Sequence, residues 1–263
     1  MIVTLPGLVI RESVYGENLV CLTVLTGEKG RITVFTKESK NPKAGKSRNL
    51  AAAQLLCYSE LVLYEKGGSF WLKEASIIES FFDLRKSIEI SLLAYYIADV
   101  VNEVCVENSD ESEMLSLALN TLYMLAKKDR TKPVAQIKGA FEMRCAAVSG
   151  FTPELSGCAG CGKDEGTLLY LDVMNGSLRC ADCLDKAQDA VLHYDTGTTT
   201  LLLPVSTELL GALRYVTSCD AKKIFSFSLS EEGLRDFGVT AEKYLLNHLD
   251  RGFETLNIYK MLG

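Results

Sequence analysis

The sequence predicts an α+β protein with a small N-terminal β-barrel, a C-terminal helical domain and a cysteine-rich insert within the helical part. Three observations lead to this prediction. Short β-rich segments separated by turns fill the first 80 residues, apolar residues then recur at helical spacing, and two Cys-x-x-Cys pairs lie close together further along the chain. A length of 263 residues agrees with about two domains.

The first predicted domain, residues 1–80, is a barrel. Turn signals at residues 15–18, 26–30 and 66–68 separate short segments rich in β-branched and aromatic residues. The predicted strands are residues 8–13, 19–26, 31–36, 55–64 and 70–78. Five strands in so short a segment fit the OB fold, a five-stranded barrel that commonly binds single-stranded nucleic acid through a basic groove and exposed rings.

The barrel segment is also rich in aromatic residues. They are Phe35, Tyr58, Tyr64, Phe70 and Trp71. Because large rings are mostly buried in small domains, we expect most of these side chains, including the only tryptophan, to fill the barrel core.

The second predicted domain is helical. Apolar residues at 3.6-residue spacing occupy residues 88–104 and 114–125, and Pro133 favours the first turn of a third helix that ends before Gly150. Helical patterns resume over residues 207–216 and 234–249. Since no repeat or low-complexity linker separates these segments, we expect one helical domain, residues 81–155 and 186–263, interrupted by an insert at residues 156–185.

The insert carries the sharpest chemical signal, two cysteine pairs with metal-ligand spacing. The predicted ligands are Cys158, Cys161, Cys180 and Cys183, and the spacing alone leaves a redox pair or unliganded thiols as alternatives. Gly162 allows the chain to fold back after the first pair, and Asn175-Gly176 predicts a two-residue hairpin turn that returns the second pair beside the first. Four thiolates suit one tetrahedral Zn²⁺, and since they fill its coordination shell we expect the ion to be structural.

The remaining cysteines and the histidines argue against other chemistry. Nine cysteines in a long chain without a secretion signal indicate thiols or metal ligands, and the five outside the insert lie in apolar patterns typical of buried residues. Only two histidines are present, so a hydrolase or deaminase built on several imidazoles is excluded. No apolar run approaches the roughly 18 residues of a membrane span, and we expect a cytoplasmic protein.

Charge is distributed unevenly along the chain. The net charge is −6, but residues 29–48 carry +6 and the remainder −12. The basic residues of this stretch are Lys29, Arg31, Lys37, Lys40, Lys43, Lys46 and Arg48. The stretch predicts a strand that runs into a basic loop able to follow a phosphate backbone, although a solvated loop without a ligand would have the same composition.

The same stretch contains the sequence AGKS at residues 44–47, which is similar to the end of a phosphate-binding loop. A lysine occupies position 40, where that motif needs its first glycine, and Pro42 lacks one of the amides that would hold phosphate. Nucleotide hydrolysis is therefore not predicted.

The order of these parts resembles that of RecO, a bacterial family of recombination mediators, over nearly the whole chain. The matching segments are GLVIRES at residues 7–13, IIESFF at 77–82, FEMR at 141–144, GFTPEL at 150–155, the cysteine site, and YLLNHL at 244–249 with Thr255-Leu256. The order and spacing of these segments carry the resemblance, since none of them is decisive alone.

The resemblance implies a non-enzymatic DNA repair factor that binds single- and double-stranded DNA through its OB fold and anneals complementary strands. It also implies a nucleoid-associated protein that helps load recombinase onto DNA coated by single-stranded DNA-binding protein, with RecR as partner. Separately from the resemblance, Arg130 and Arg144 of the helical domain are candidates for meeting the acidic tail of the coating protein, and spacing alone does not choose between them. One departure is Glu38-Ser39, which stands where the family tends to have glycine within the basic stretch.

A second class of function remains open from the residues alone. The chain could be a zinc-ribbon adaptor that contacts other proteins through its acidic remainder, with a basic loop that only aids solubility. Direct measurement of DNA binding separates the two classes.

Overall fold

The computed structural model describes residues 1–15, 19–37, 51–128, 131–164, 168–185 and 201–262. The chain forms two compact units, Met1–Arg130 with Phe253–Gly263, and Thr131–Gly252. The first unit contains the barrel together with the helices up to residue 126, and the second contains the cysteine-rich segment. The two units are defined by packing. The domain boundaries predicted at residues 80, 155 and 186 concern which parts fold independently, and they stay predictions.

The strands of the first unit form a closed barrel. They are β1 (Ile2–Tyr15), β2 (Leu19–Thr26), β3 (Arg31–Lys37), β4 (Tyr58–Lys66) and β5 (Ser69–Glu79). They pair in the order β1-β2-β3-β5-β4, with β4 returning to β1, and β3 pairs with β5 in parallel while the other pairs are antiparallel. The predicted five-stranded barrel of the OB type is confirmed.

Side chains that point inward from every second position of the strands fill the barrel core. Val9, Val24, Val34 and Leu61 are fully buried in one cluster, as expected when every second side chain of a strand points inward. Strand β1 begins at Ile2, earlier than the predicted start at residue 8, and includes Pro6 and Gly7. A Cβ on Gly7 would lie 2.4 Å from Val24 Cγ1, so glycine allows the two strands to approach here.

Helices complete both units. They are α1 (Ile88–Val104), α2 (Ser112–Ala126), α3 (Val134–Val148), α4 (Thr207–Ser218), α5 (Glu231–Leu249) and α6 (Glu254–Leu262). Short helical turns occupy residues 82–86, 181–185 and 221–223. The predicted helices are confirmed in position, and α5 begins three residues before its predicted start because Ser230 caps it by accepting a hydrogen bond from the Gly233 amide.

The last helix returns the chain to the first unit. Helix α6 packs on α1, where the Thr255 hydroxyl donates to the Asp99 carboxylate at 2.8 Å. The rings of Tyr96 and Phe253 meet edge to face at 5.6 Å between centroids. The C-terminal residues thus pack against α1, about 150 residues earlier in the sequence, and belong to the first unit.

The second unit is built on the packing of α3 against α5. Gly139 of α3 faces Phe237 of α5, and a Cβ at position 139 would lie 2.7 Å from the Phe237 ring. At the residue before Gly139, the Lys138 ammonium is buried between two carboxylates, 2.7 Å from Glu142 and 2.8 Å from Glu242. Burial alone would lower the pKa of Lys138, but the two carboxylates outweigh it and raise the pKa.

A four-stranded sheet completes the second unit. Its strands are β6 (Glu154–Cys158), β7 (Leu169–Asp172), β8 (Ser177–Cys180) and β9 (Leu202–Val205), in the order β6-β8-β7-β9. The predicted hairpin is present, but its turn has four residues, 173–176, because β7 ends at Asp172. The Asp172 carboxylate accepts hydrogen bonds from the Asn175 amide groups and holds this wider turn. Strand β9 was not predicted, and its Pro204 is tolerated at the edge of the sheet.

The buried Lys138 yields a stability prediction. We expect Lys138→Met to lower the free energy of unfolding by about 3 kcal/mol, because it removes the buried ammonium that compensates the charge of Glu142 and Glu242. Urea denaturation of Lys138→Met beside Lys243→Met, an exposed lysine of α5, measures this difference. Since the pKa of Lys138 is raised, its contribution is fully present below about pH 10 and lost as the pH rises through the raised value. Equal denaturation midpoints in the two variants would contradict the prediction.

Candidate metal centre and basic surface

The first cysteine pair lies in a tight turn after β6. The Gly162 and Cys161 amides donate to the Cys158 carbonyl, at 2.7 Å and 3.3 Å, and Gly162 has a φ of +76°. The predicted role of Gly162 in folding the chain back is confirmed by this left-handed conformation. Arg214 of α4 donates to the carbonyls of Leu155 and Ser156, which anchors β6 just before the turn.

The second pair begins at the end of β8. Cys180 is the last residue of that strand, and Cys183 follows in the helical turn over residues 181–185. A Cβ on Gly160 would lie 3.0 Å from Cys183 Sγ, so glycine lets the first turn approach the second pair closely. The hairpin β7–β8 therefore brings the two pairs together, as the spacing predicted.

The four thiols form one cluster that fits a metal ion. Their Sγ atoms all lie within 4.8 Å of one another, and those of Cys161 and Cys180 are 3.7 Å apart. A tetrahedral ion with metal–sulfur bonds of about 2.3 Å places its ligands about 3.8 Å apart. The amides of Cys180 and Gly160 also point at Cys158 Sγ, at 3.2 Å and 3.4 Å, which supports a negatively charged sulfur.

The protonation of these thiols differs along the cluster. Burial by itself would raise the pKa of Cys158, but the surrounding amides outweigh it and lower the pKa to about 6. Hydrogen bonds with Cys180 and Cys161 favour the protonated thiol of Cys183 and raise its pKa to about 12. The Cys158 thiolate therefore forms readily, whereas ionisation of Cys183 is favoured only when a cation lies beside its sulfur.

The other five cysteines separate into two groups. Cys57, Cys105 and Cys145 are buried as predicted, and burial raises the pKa of Cys145 to about 12. Cys21 and Cys219 are only half-buried, because Cys21 lies on the outer side of β2 and Cys219 caps the end of α4. For these two residues the expectation of a buried side chain was wrong.

Two of the predicted basic residues, Lys29 and Arg31, lie where the β2–β3 connection contacts the segment after α1. The Arg31 amide donates to the Val106 carbonyl, the Asn108 amide donates to the Lys29 carbonyl, and the Arg31 guanidinium donates to the Asn102 carbonyl. Gly30 between them has a φ of +63°, and a Cβ there would lie 2.2 Å from the Val106 carbonyl oxygen. Arg31 thus joins the barrel to α1 within the first unit.

The other predicted basic residues lie at or beyond the end of β3. Lys37 is the last residue of that strand. The remaining four are Lys40, Lys43, Lys46 and Arg48, which lie outside the described residues. Arg144, a candidate for meeting an acidic partner, donates to the carbonyls of Val216 and Thr217 at the end of α4. Arg130 lies outside the described residues.

The barrel also presents aromatic side chains on its outer surface, which the sequence prediction missed. Trp71 is half-buried, pairs with Phe35 and Tyr64 across the strands, and lies on the face opposite to the inward Phe70 and Leu72. The expectation that the tryptophan fills the core was wrong. The alternation within β5 was a signal for this, because Trp71 lies between two apolar residues that face the core.

Among the described residues, no helix combines the length and the apolar character needed to cross a membrane.

Comparison with known proteins identifies relatives over nearly the whole chain. Residues 1–81 match the family described as Recombination protein O N terminal, and residues 85–257 match the family described as Recombination protein O C terminal. A curated DNA repair protein RecO from Acetivibrio thermocellus is 32% identical over 256 residues, which cover 97% of this chain and 95% of that protein. Proteins of the same name from Caldicellulosiruptor saccharolyticus and Dehalococcoides mccartyi are 25% and 28% identical, covering 97% and 88% of this chain and 97% and 84% of those proteins.

The thiol cluster yields a prediction about metal content. We expect Cys158→Ser to abolish retention of a metal ion and to lower the melting temperature, because three thiols hold the ion less tightly and its binding stabilises the fold. Metal analysis after gel filtration, combined with thermal unfolding, measures both effects. Cys21→Ser is the matched control, since it makes the same chemical change outside the cluster. Full metal retention in Cys158→Ser would show that these thiols do not bind the ion.

Proposed function

This chain belongs to the RecO family of DNA repair proteins, and we propose that it is a recombination mediator that binds single- and double-stranded DNA and anneals complementary strands. The observation that supports this most is the basic stretch of residues 29–48, which begins in the β2–β3 connection of an OB-type barrel and continues beyond β3. Such barrels commonly bind oligonucleotides, and lysines and arginines provide the phosphate contacts.

The proposed mechanism of annealing is electrostatic. Two complementary strands repel each other through their phosphates, and this repulsion opposes the encounter that precedes pairing. Seven basic residues within twenty positions neutralise phosphates on both strands at once and release their counterions. We assign the phosphate contacts mainly to Lys37, Lys40, Lys43, Lys46 and Arg48, because Lys29 and Arg31 lie where the barrel joins α1. No bond is made or broken in this process, so the protein acts without enzymatic chemistry.

We propose further that the four cysteines hold one structural Zn²⁺. The cluster supplies four sulfur ligands and no position for a substrate, which is typical of structural zinc. The ion would bind the two turns together and stabilise the second unit, while DNA is bound by the barrel. Zinc analysis of the purified protein, with one ion per chain expected, tests this assignment.

Protein partners follow from the family and from the charge of the chain. We propose RecR and single-stranded DNA-binding protein as partners, acting together at the nucleoid to load recombinase. Outside the basic stretch the chain carries −12, which leaves a large acidic part for contacts other than DNA. For the acidic tail of the coating protein, Arg144 is a weak candidate because its guanidinium already donates to two backbone carbonyls.

A variant of the basic stretch tests DNA binding. We expect replacement of Lys37, Lys40, Lys43 and Lys46 by alanine to weaken binding of a labelled single strand strongly at low salt. With four to seven phosphate contacts, log affinity should fall against log salt with a slope of about −3 to −5, and the variant should lose about 3 from the magnitude of that slope. Fluorescence anisotropy over a salt series measures both quantities, and annealing of complementary oligonucleotides measures the activity.

The control replaces four lysines elsewhere, so that the net charge changes equally. Lys128, Lys222, Lys223 and Lys243 are all exposed. Their replacement should leave affinity, slope and annealing close to those of the unmodified protein. If the unmodified protein does not bind DNA, or if the two quadruple variants behave alike, a zinc-ribbon adaptor that contacts only proteins becomes the better assignment.

A further inference from the structure

The outer surface of the barrel carries a row of aromatic side chains that crosses three neighbouring strands. Tyr64 of β4 pairs with Trp71 of β5, and Trp71 pairs with Phe35 of β3. The rings of Phe35 and Trp71 lie 5.3 Å apart between centroids and are tilted by 35°. Tyr64 is 48% exposed. We call Phe35, Trp71 and Tyr64 the aromatic row.

The aromatic row is not part of the barrel core. The partly buried apolar residues that pack against the core are Leu5, Phe70, Leu72 and Ala75, and the members of the row alternate with inward residues along their strands. Phe35 and Trp71 are half-buried against each other, and each retains solvent-accessible surface. Because these rings are not packed in the core, their exposed flat apolar faces are accessible to a ligand on the outer surface of the sheet.

The surroundings of the row favour a polyanion. Exposed Lys66 and Lys73 lie on the two strands that carry Tyr64 and Trp71, to either side of Trp71 along the sheet. At the other end of the row, Phe35 lies two residues before Lys37, from which the chain enters the basic part of residues 37–48. A ligand that is both flat and negatively charged would match rings and lysines together.

A groove of about 300 Å³ lies beside Phe35 within the first unit. Its lining includes Thr33, Ser69 and Asn108 together with Phe70, so it combines polar groups with an apolar wall. The lining also contains one basic and one acidic residue, Arg31 and Glu107. A flat ligand that contacts Phe35 would therefore also find polar groups in this groove.

We propose that the aromatic row is a stacking platform for the unpaired bases of single-stranded DNA. Neighbouring strands lie about 4.8 Å apart, so three rings in register offer room for two or three bases, as on the sheets of single-strand-binding modules. Duplex DNA cannot use the row, because its bases are stacked on each other and paired inside the helix. The proposal rests on the proposed DNA-binding function and adds to it a source of selectivity for single strands.

The row and the basic stretch then have different tasks. The lysines bind phosphates of single strands and duplexes alike, while the rings hold only bases that have not yet paired. Pairing of two annealing strands removes their bases from the rings, so the product duplex is held less tightly than the substrate strand. This difference favours release of the product.

Trp71 is the only tryptophan of the chain, so its fluorescence reports on the row directly. We expect titration of the protein with oligo(dT) to quench this fluorescence, and titration with a blunt-ended duplex of two separate strands to leave it nearly unchanged. Anisotropy of the same labelled DNAs measures binding separately. We expect Trp71→Leu to weaken oligo(dT) binding about tenfold and duplex binding less than twofold, since loss of one stacked base costs a factor of about 5 to 150.

Further variants separate stacking from folding. Trp71→Phe keeps a ring and should retain most of the oligo(dT) affinity, and Phe35→Leu keeps the reporter and should reduce its quenching. Tyr123→Leu is the control, because Tyr123 is an exposed ring of the same unit on α2 whose neighbours are Phe82 and Lys127. A misfolded variant would lose oligo(dT) and duplex binding together, so the ratio of the two affinities identifies stacking.

The outcomes are distinct. Selective loss of oligo(dT) affinity in Trp71→Leu, with quenching in the unmodified protein, supports the platform. The platform is overturned if oligo(dT) binds strongly without a fluorescence response, or if Trp71→Leu loses affinity for oligo(dT) and for the duplex equally. In both cases DNA binding itself stands. Absence of binding to either DNA by the unmodified protein overturns both the platform and the proposed function.

Discussion

Closure of the five-stranded barrel is the constraint on which the first unit depends. Once β4 returns to β1, the register of every strand is fixed, and a slip by one residue would exchange the inward and outward sets of side chains. The same register that places Val34 and Leu63 in the core places Phe35 and Tyr64 on the outside. The core and the outer aromatic surface are therefore two results of one pairing pattern.

The connection between β2 and β3 shows how the barrel is tied to its helices. Gly30 permits backbone hydrogen bonds with the segment after α1 that a side chain would block. These bonds hold the start of β3, whereas its end leads into the most basic part of the sequence. Lys29 and Arg31 are thus structurally distinct from the lysines that follow, although all belong to one run of charge.

The second unit depends on charge in a different way. Four thiols gathered within 4.8 Å cannot all ionise without a cation, so a bound metal ion would complete the link between the two cysteine turns. Elsewhere in the unit, Lys138 supplies the compensating charge for Glu142 and Glu242 between α3 and α5. In both places, charge buried or crowded by the fold requires an opposite charge nearby.

The sequence alone determined the barrel, the order of the predicted helices and the cluster of four cysteines, because these depend on local patterns of period, turn residues and spacing. Tertiary structure decided the edge strand β9, the four-residue turn and the sides on which Trp71 and Cys21 lie. It also showed that Arg31 has a structural contact, because its guanidinium donates a hydrogen bond to the Asn102 carbonyl. Strand β9 and the Arg31 bond depend on residues distant in sequence, whose contacts arise only when strands pair and helices pack. The sides of Trp71 and Cys21 follow the alternation of their strands, but the pairing of the strands decides which side of each strand faces the core.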